Sequence, residues 1–195
     1  MKLKYKGKYS GDESTLPQRE HPEGYVPFRE PEHKKIAVIA NVGAIILLII
    51  LFIIMIIRAG EHYTPGSSAV LIGMIIALLT MFPHEILHAS CFKEEVWLFT
   101  NLSKVMLFVV GPEDMTKGRF IFMSLLPNII FGFIPFIVFL FVPKLIILGT
   151  MGAMCISMGF GDYFNVFNAL TQMPKGALTY LSGFHSYWYI PKTDK

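Results

Sequence analysis

The feature that most constrains this chain is the run from Ile36 to Ile57, 22 residues without one charged side chain. A hydrocarbon core of about 30 Å is crossed by about 20 apolar residues of helix, so this run has the length of a membrane span. Three further tracts share its character. Ala69 to Cys91 is interrupted only by one polar cluster, and Phe120 to Val142 is broken by Pro127 and Pro135. Leu145 to about Leu170 is glycine-rich with a single carboxylate. Only 16% of the residues are charged, whereas a soluble domain of this size carries about 25%. The expected fold class is therefore an all-α, multi-pass membrane protein with about four transmembrane helices.

The chain opens Met-Lys-Leu-Lys-Tyr-Lys-Gly-Lys, and its first apolar run is too long for the core of a cleavable signal peptide. That run, 36–57, is expected to stay as an anchor behind a polar tail, 1–35. The tail carries Pro17, Pro22, Pro27 and Pro31 and reads as largely unstructured, with Lys2, Lys4, Lys6 and Lys8 solvated or touching anionic lipid. Cys91 and Cys155 both fall in apolar tracts and read as small core residues, not as a disulfide framework.

Orientation follows from Lys and Arg. The tail carries eight of the 17, the segment between spans two and three carries four, and the C-terminal segment three. The remaining linkers hold one each, Arg58 and Lys144. Both termini and the central segment are thus expected on the cytoplasmic side of the cell membrane. The second and fourth spans then both run inward. At 1.5 Å per residue His84 lies ~22 Å below the start of one, and Asp162 ~25 Å below the start of the other.

Terminal positions aside, the Asp, Glu, His, Lys and Arg residues inside the four spans are His84, Glu85, His88 and Asp162. A charge at the centre of a membrane helix costs roughly 2.5–3.5 kcal/mol on insertion scales, so such residues are read as functional and partnered. Two imidazoles and two carboxylates are the inventory of a catalytic zinc site. In His84-Glu85-Ile86-Leu87-His88 the histidines stand four apart, on one helix face, where both can bind one metal ion. Glu85 is one residue round, placed to take a proton from water at the metal. Catalytic zinc usually keeps three protein ligands, and Asp162 is the favoured third. Glu94, six residues after His88, is the alternative, and His185 a weaker one. The bland readings are an interhelical hydrogen bond for the histidines and a satisfied polar contact for Asp162.

Two seams of mostly small residues support a pairing of spans two and four. They are Gly73, Ala77, Thr80, His84, His88, Cys91 on one and Gly149, Gly152, Cys155, Gly159, Asp162 on the other. Pro83 can kink the helix just before His84. Asn128 is a polar residue in span three that can orient substrate or make an ordinary interhelical bond. Asn165, three residues after Asp162, can steady that ligand. Between spans two and three, Val96 to Thr100 and Val105 to Val110 read as a short membrane-surface β-hairpin turning at 101–104. Its edge can hold an extended substrate, or the hairpin can serve as a lid or packing element. Phe184 to Tyr189 reads as an aromatic belt at the interface.

The order HEILHA, GPEDMTKGRFIFMSLLPNIIFGFIPF, GFGDYFNVFNAL and MPKGAL resembles a bacterial zincin-peptidase family grouped as a domain of unknown function. Its members look like compact relatives of the site-2 protease class. The likeness covers about Phe82 to Ile190, within a peptidase domain of 69–190. It implies Zn²⁺ as cofactor, with Asp162 where that class supplies its third ligand, although the usual Leu-Asp-Gly is absent. The reading is a membrane-embedded zinc metallopeptidase cutting a membrane-associated or transmembrane protein near the cytoplasmic face. Its expected partners are the lipid bilayer and a membrane protein or peptide substrate, and no nucleic acid. The rival is a non-catalytic metal-binding or partner-binding membrane protein, which has no need of Glu85 as a base.

Overall fold

The computed structural model describes residues 2–101 and 106–192. The chain divides into two compact units, Pro31–His84 with Leu125–Phe164, and Met1–Glu30 with Glu85–Ser124 and Asn165–Lys195.

The first unit is helical. Helix α1 (His33–Ala59) comes first, then α2 (Ser68–Leu79) and the beginning of α3 (Met81–Ser90). A break at Thr80 separates α2 from α3. Pro83 explains it, because proline has no N–H to give to the preceding turn, here to Leu79. The Thr80 hydroxyl instead donates to the Ala77 carbonyl at 2.6 Å. The end of helix α4 (Lys117–Pro127) leads into a π-helical turn, Asn128–Phe133, and then α5 (Ile134–Phe141). Helix α6 (Ile146–Met158) and the beginning of α7 (Phe160–Gln172) follow, the two helices bent by 50°. Among the described residues three helical stretches are long and apolar enough to cross a membrane, or four if the bent pair counts as one.

The two small-residue seams do not simply face each other. Gly73 packs on Thr150 and Ile147, and the Thr80 hydroxyl meets Cys155 Sγ at 3.4 Å. Gly149 and Gly152, by contrast, lie under Phe139 and Phe136 of α5. Helix α6 is therefore gripped on two sides, and its small residues serve two neighbours. Spacing of three and four covers a wide arc of a helix, so it could not assign these residues to one neighbour. On α1, Gly43 receives the ring of Phe160.

The second unit departs from the all-α expectation. One sheet has the order β1-β3-β4, built from β1 (Lys2–Lys8), β3 (Glu95–Asn101) and β4 (Met106–Val110). The other has the order β2-β7-β6-β5, from β2 (Val26–Pro27), β7 (His185–Tyr189), β6 (Leu178–Ser182) and β5 (Met115–Thr116). The expected hairpin is present as β3 and β4, pairing Leu98 with Val109 and Phe99 with Phe108. Positions 102–105 of its turn lie outside the described residues.

The tail expected to be unstructured is built into both sheets. Its Lys-Leu-Lys-Tyr-Lys alternation is a period-two pattern, and β1 pairs in parallel with β3, Leu3 beside the buried Val96. Lys4 reaches Glu95 at 2.6 Å and Lys6 sits 3.9 Å over the Trp97 ring. The aromatic C-terminal segment likewise forms a strand, with Tyr187 stacked on Tyr180 of β6. Arg19 ties the tail to the loop between β4 and β5 through Asp114, at 3.0 Å.

Candidate metal centre

Helix α3 carries three of the four charged or imidazole residues that the sequence singles out within its apolar tracts. Within this helix the ligand atoms of His84, Glu85 and His88 all lie within 4.8 Å of one another. This is the consequence of i, i+4 geometry, which stacks His84 and His88 on one face.

Asp162 enters through α7. Its carboxylate Oδ2 lies 3.3 Å from His84 Nε2, and both side chains are about four-fifths buried. The break at Gly159 begins the helical turn that carries Asp162, whose N–H donates to the Gly159 carbonyl at 2.9 Å. Asn128, fully buried at the start of the π turn, donates from Nδ2 to Asp162 Oδ2 at 2.7 Å. Gly159 is what lets it pass, since a Cβ there would fall on the Asn128 amide. A π turn shifts the helical register and recurs at functional sites, and this one begins at the residue that holds the candidate ligand.

His88 is 8% exposed, and its Nδ1 lies 2.9 Å from the Met123 carbonyl of α4. A carbonyl only accepts, so Nδ1 carries the proton and Nε2 keeps its lone pair. That is the orientation a metal-binding imidazole needs. Glu85 accepts a hydrogen bond from the Val109 N–H of β4 at 3.0 Å, so its carboxylate is aimed by the outer edge of the small sheet.

The residue types are those that bind zinc, and the group brought within 4.8 Å is His84, Glu85 and His88, which Asp162 meets at His84. Bonds of about 2.1 Å in a tetrahedral site put two ligand atoms about 3.4 Å apart. The His84–Asp162 separation of 3.3 Å matches this, and it is longer than the usual N–H···O bond of about 2.9 Å. The alternative ligand Glu94 lies exposed beyond the end of α3, with its N–H donating to Glu113. His185 is also exposed, on β7, 4.0 Å from Glu13. Asn165 is half-buried one turn beyond Asp162.

Three features of the site were not legible in the sequence. Two are backbone groups, the Met123 carbonyl and the Val109 N–H, which any residue type provides. The third is Glu113, a charged residue in a polar stretch yet only 7% exposed. Burial works to raise its pKa, but the Glu94 N–H, the Arg119 guanidinium and the Lys93 N–H together hold it below the ordinary carboxylate range.

Residues 77–178, just over half of the chain, match the model of a family described as "Putative zincin peptidase". No curated protein and no solved structure matches the chain.

Proposed function

The chain belongs to the zincin peptidase family whose model it matches, and from that premise we propose that it is a membrane-embedded zinc metallopeptidase. His84, His88 and Asp162 would hold the ion, and the observation that carries this is the 3.3 Å approach of Asp162 to His84 on the motif helix. Zinc, when bound, lowers the pKa of a water to about 7 and polarises the carbonyl under attack. Glu85 takes the proton of the attacking water on its carboxylate and hands it to the leaving amine nitrogen. The Val109 N–H keeps that carboxylate in place. Asn128 holds the Asp162 oxygen, and the Met123 carbonyl fixes the His88 ring.

The reading of the substrate as an extended segment rests on the sheet. Strand β1 already occupies one edge of β3, while β4 is an edge strand whose outer N–H at Val109 points at Glu85. A peptide adding to β4 would lay its backbone beside the general base. Embedding in the bilayer is supported by α1, where Ile45, Ile46, Ile49 and Ile53 each expose half or more of their surface. Apolar exposure on this scale is what surrounding lipid would cover. The charge bias supports a site toward the cytoplasmic leaflet, and the proposed substrate class is a membrane-associated or transmembrane protein.

The test compares membranes from cells making the wild type and Glu85→Gln. Peptide fragments present with the first and missing with the second are expected, with bound zinc equal in both purified proteins. A wild type that purifies without zinc, or identical fragment patterns, would falsify the reading.

A further inference from the structure

Resting on that zinc reading, we infer that Lys117 and Arg119, with the buried Glu113, are positioning residues for the metal centre, because they hold the C-terminal ends of both ligand-bearing helices. Arg119 donates from Nε and Nη2 to the Cys91 carbonyl, at 2.9 and 2.5 Å, just past the end of α3. Lys117 donates from Nζ to the Leu170 and Met173 carbonyls, at 3.1 and 2.9 Å, across the end of α7. The last carbonyls of a helix have no partner within it and carry the negative end of its dipole, so a cation is the fitting cap. Two residues apart on the first turn of α4, these cations cap the helix of His84 and His88 and the helix of Asp162.

Glu113 makes the arrangement rigid. Its Oε1 lies 2.6 Å from Arg119 Nη2, and its Oε2 accepts from the Lys93 and Glu94 N–H groups, at 2.7 and 2.9 Å. The same Nη2 that donates to the Cys91 carbonyl is therefore held by the Glu113 carboxylate. One turn along the same face of α4, the Met123 carbonyl takes the proton on His88 Nδ1. Helix α4 thus grips α3 at two points three residues apart, one of them a candidate ligand. Both cations of the Lys117-Gly118-Arg119 triplet are thus spent inside the protein.

The experiment uses the full chain in detergent, with zinc affinity read by chelator competition and local opening of the metal-free protein by amide hydrogen exchange. Arg119→Ala and Lys117→Ala are each expected to weaken zinc binding tenfold or more. In the metal-free protein Arg119→Ala should speed exchange around residues 89–92, and Lys117→Ala around 170–173. Arg119→Lys and Lys117→Arg, which keep the charge and disturb folding least, should recover part of the affinity, more for the second because a guanidinium can still reach both carbonyls. Glu113→Gln should follow Arg119→Ala in direction. Variants that exchange faster yet bind zinc as the wild type does would overturn the inference and leave the zinc reading standing. A wild type without measurable zinc affinity would overturn both.

Discussion

The Asn128 amide donates to Asp162 Oδ2 at 2.7 Å, the same oxygen that lies 3.3 Å from His84 Nε2. One carboxylate oxygen is therefore held from behind by an amide and presented to an imidazole in front. Groups that orient a metal ligand are typically worth about 10–100-fold in metal affinity. Asn128→Leu, close in volume and unable to donate, should lower zinc affinity by about that factor. Chelator competition checks it, and affinity equal to wild type would remove Asn128 from the site.

Gly159 makes room for that amide. A methyl group there displaces the Asn128 side chain, and overpacking of this kind costs typically about 1–3 kcal/mol. Gly159→Ala should lower both thermal stability and zinc affinity. In an Asn128→Ala background the same change should cost much less, since the residues in conflict no longer meet. Simple additivity in the melting temperatures of the four proteins would count against the contact.

Val109 offers Glu85 only a backbone N–H, so the side chain can be kept out of the question. Proline removes this donor and is tolerated on an edge strand. Val109→Pro should leave zinc content unchanged while reducing the fragments that depend on Glu85. Full cleavage by the variant would show that the N–H neither aims the base nor binds substrate.

Glu30 gives the fold a pH dependence outside the apolar helices. Burial pushes its pKa from the ordinary 4.5 up to about 7, against the hydrogen bonds from Ser186 that favour the charged form. An acid whose folded pKa is raised contributes stability in full below its unfolded pKa, and loses it as pH rises through the folded value. Stability should therefore fall between about pH 4.5 and about pH 7 by an amount that Glu30→Gln removes. The melting temperature of the variant should exceed that of wild type at about pH 8 by more than at about pH 5. A constant difference across the range would mean that Glu30 titrates normally.

The helical framework and the motif were legible because their signals are local. Twenty-two uncharged residues in a row make a long apolar helix whatever surrounds them, and a four-residue spacing puts His84 and His88 on one face wherever the helix lies. Asp162 stood out for a related reason, since a lone carboxylate in an apolar tract is conspicuous, and its approach to His84 appeared only with the fold. The β structure of the tail was missed because β1 is short, lysine-rich and held by a strand some ninety residues away. Local pattern could show the alternation of Lys2 to Lys8 but not what would pair with it.

By itself the sequence determined which residues have the chemistry for a zinc site and which helices are apolar enough to surround it. The tertiary structure decided what aims them. Asn128 meets Asp162 only because Gly159 leaves space, and the His88 tautomer is set by a carbonyl of α4. Lys117 and Arg119 became helix caps only when the ends of α7 and α3 arrived beside them. These are meetings of backbone and side chain far apart in the chain, and residue identity does not encode them, because every peptide unit carries the same N–H and C=O.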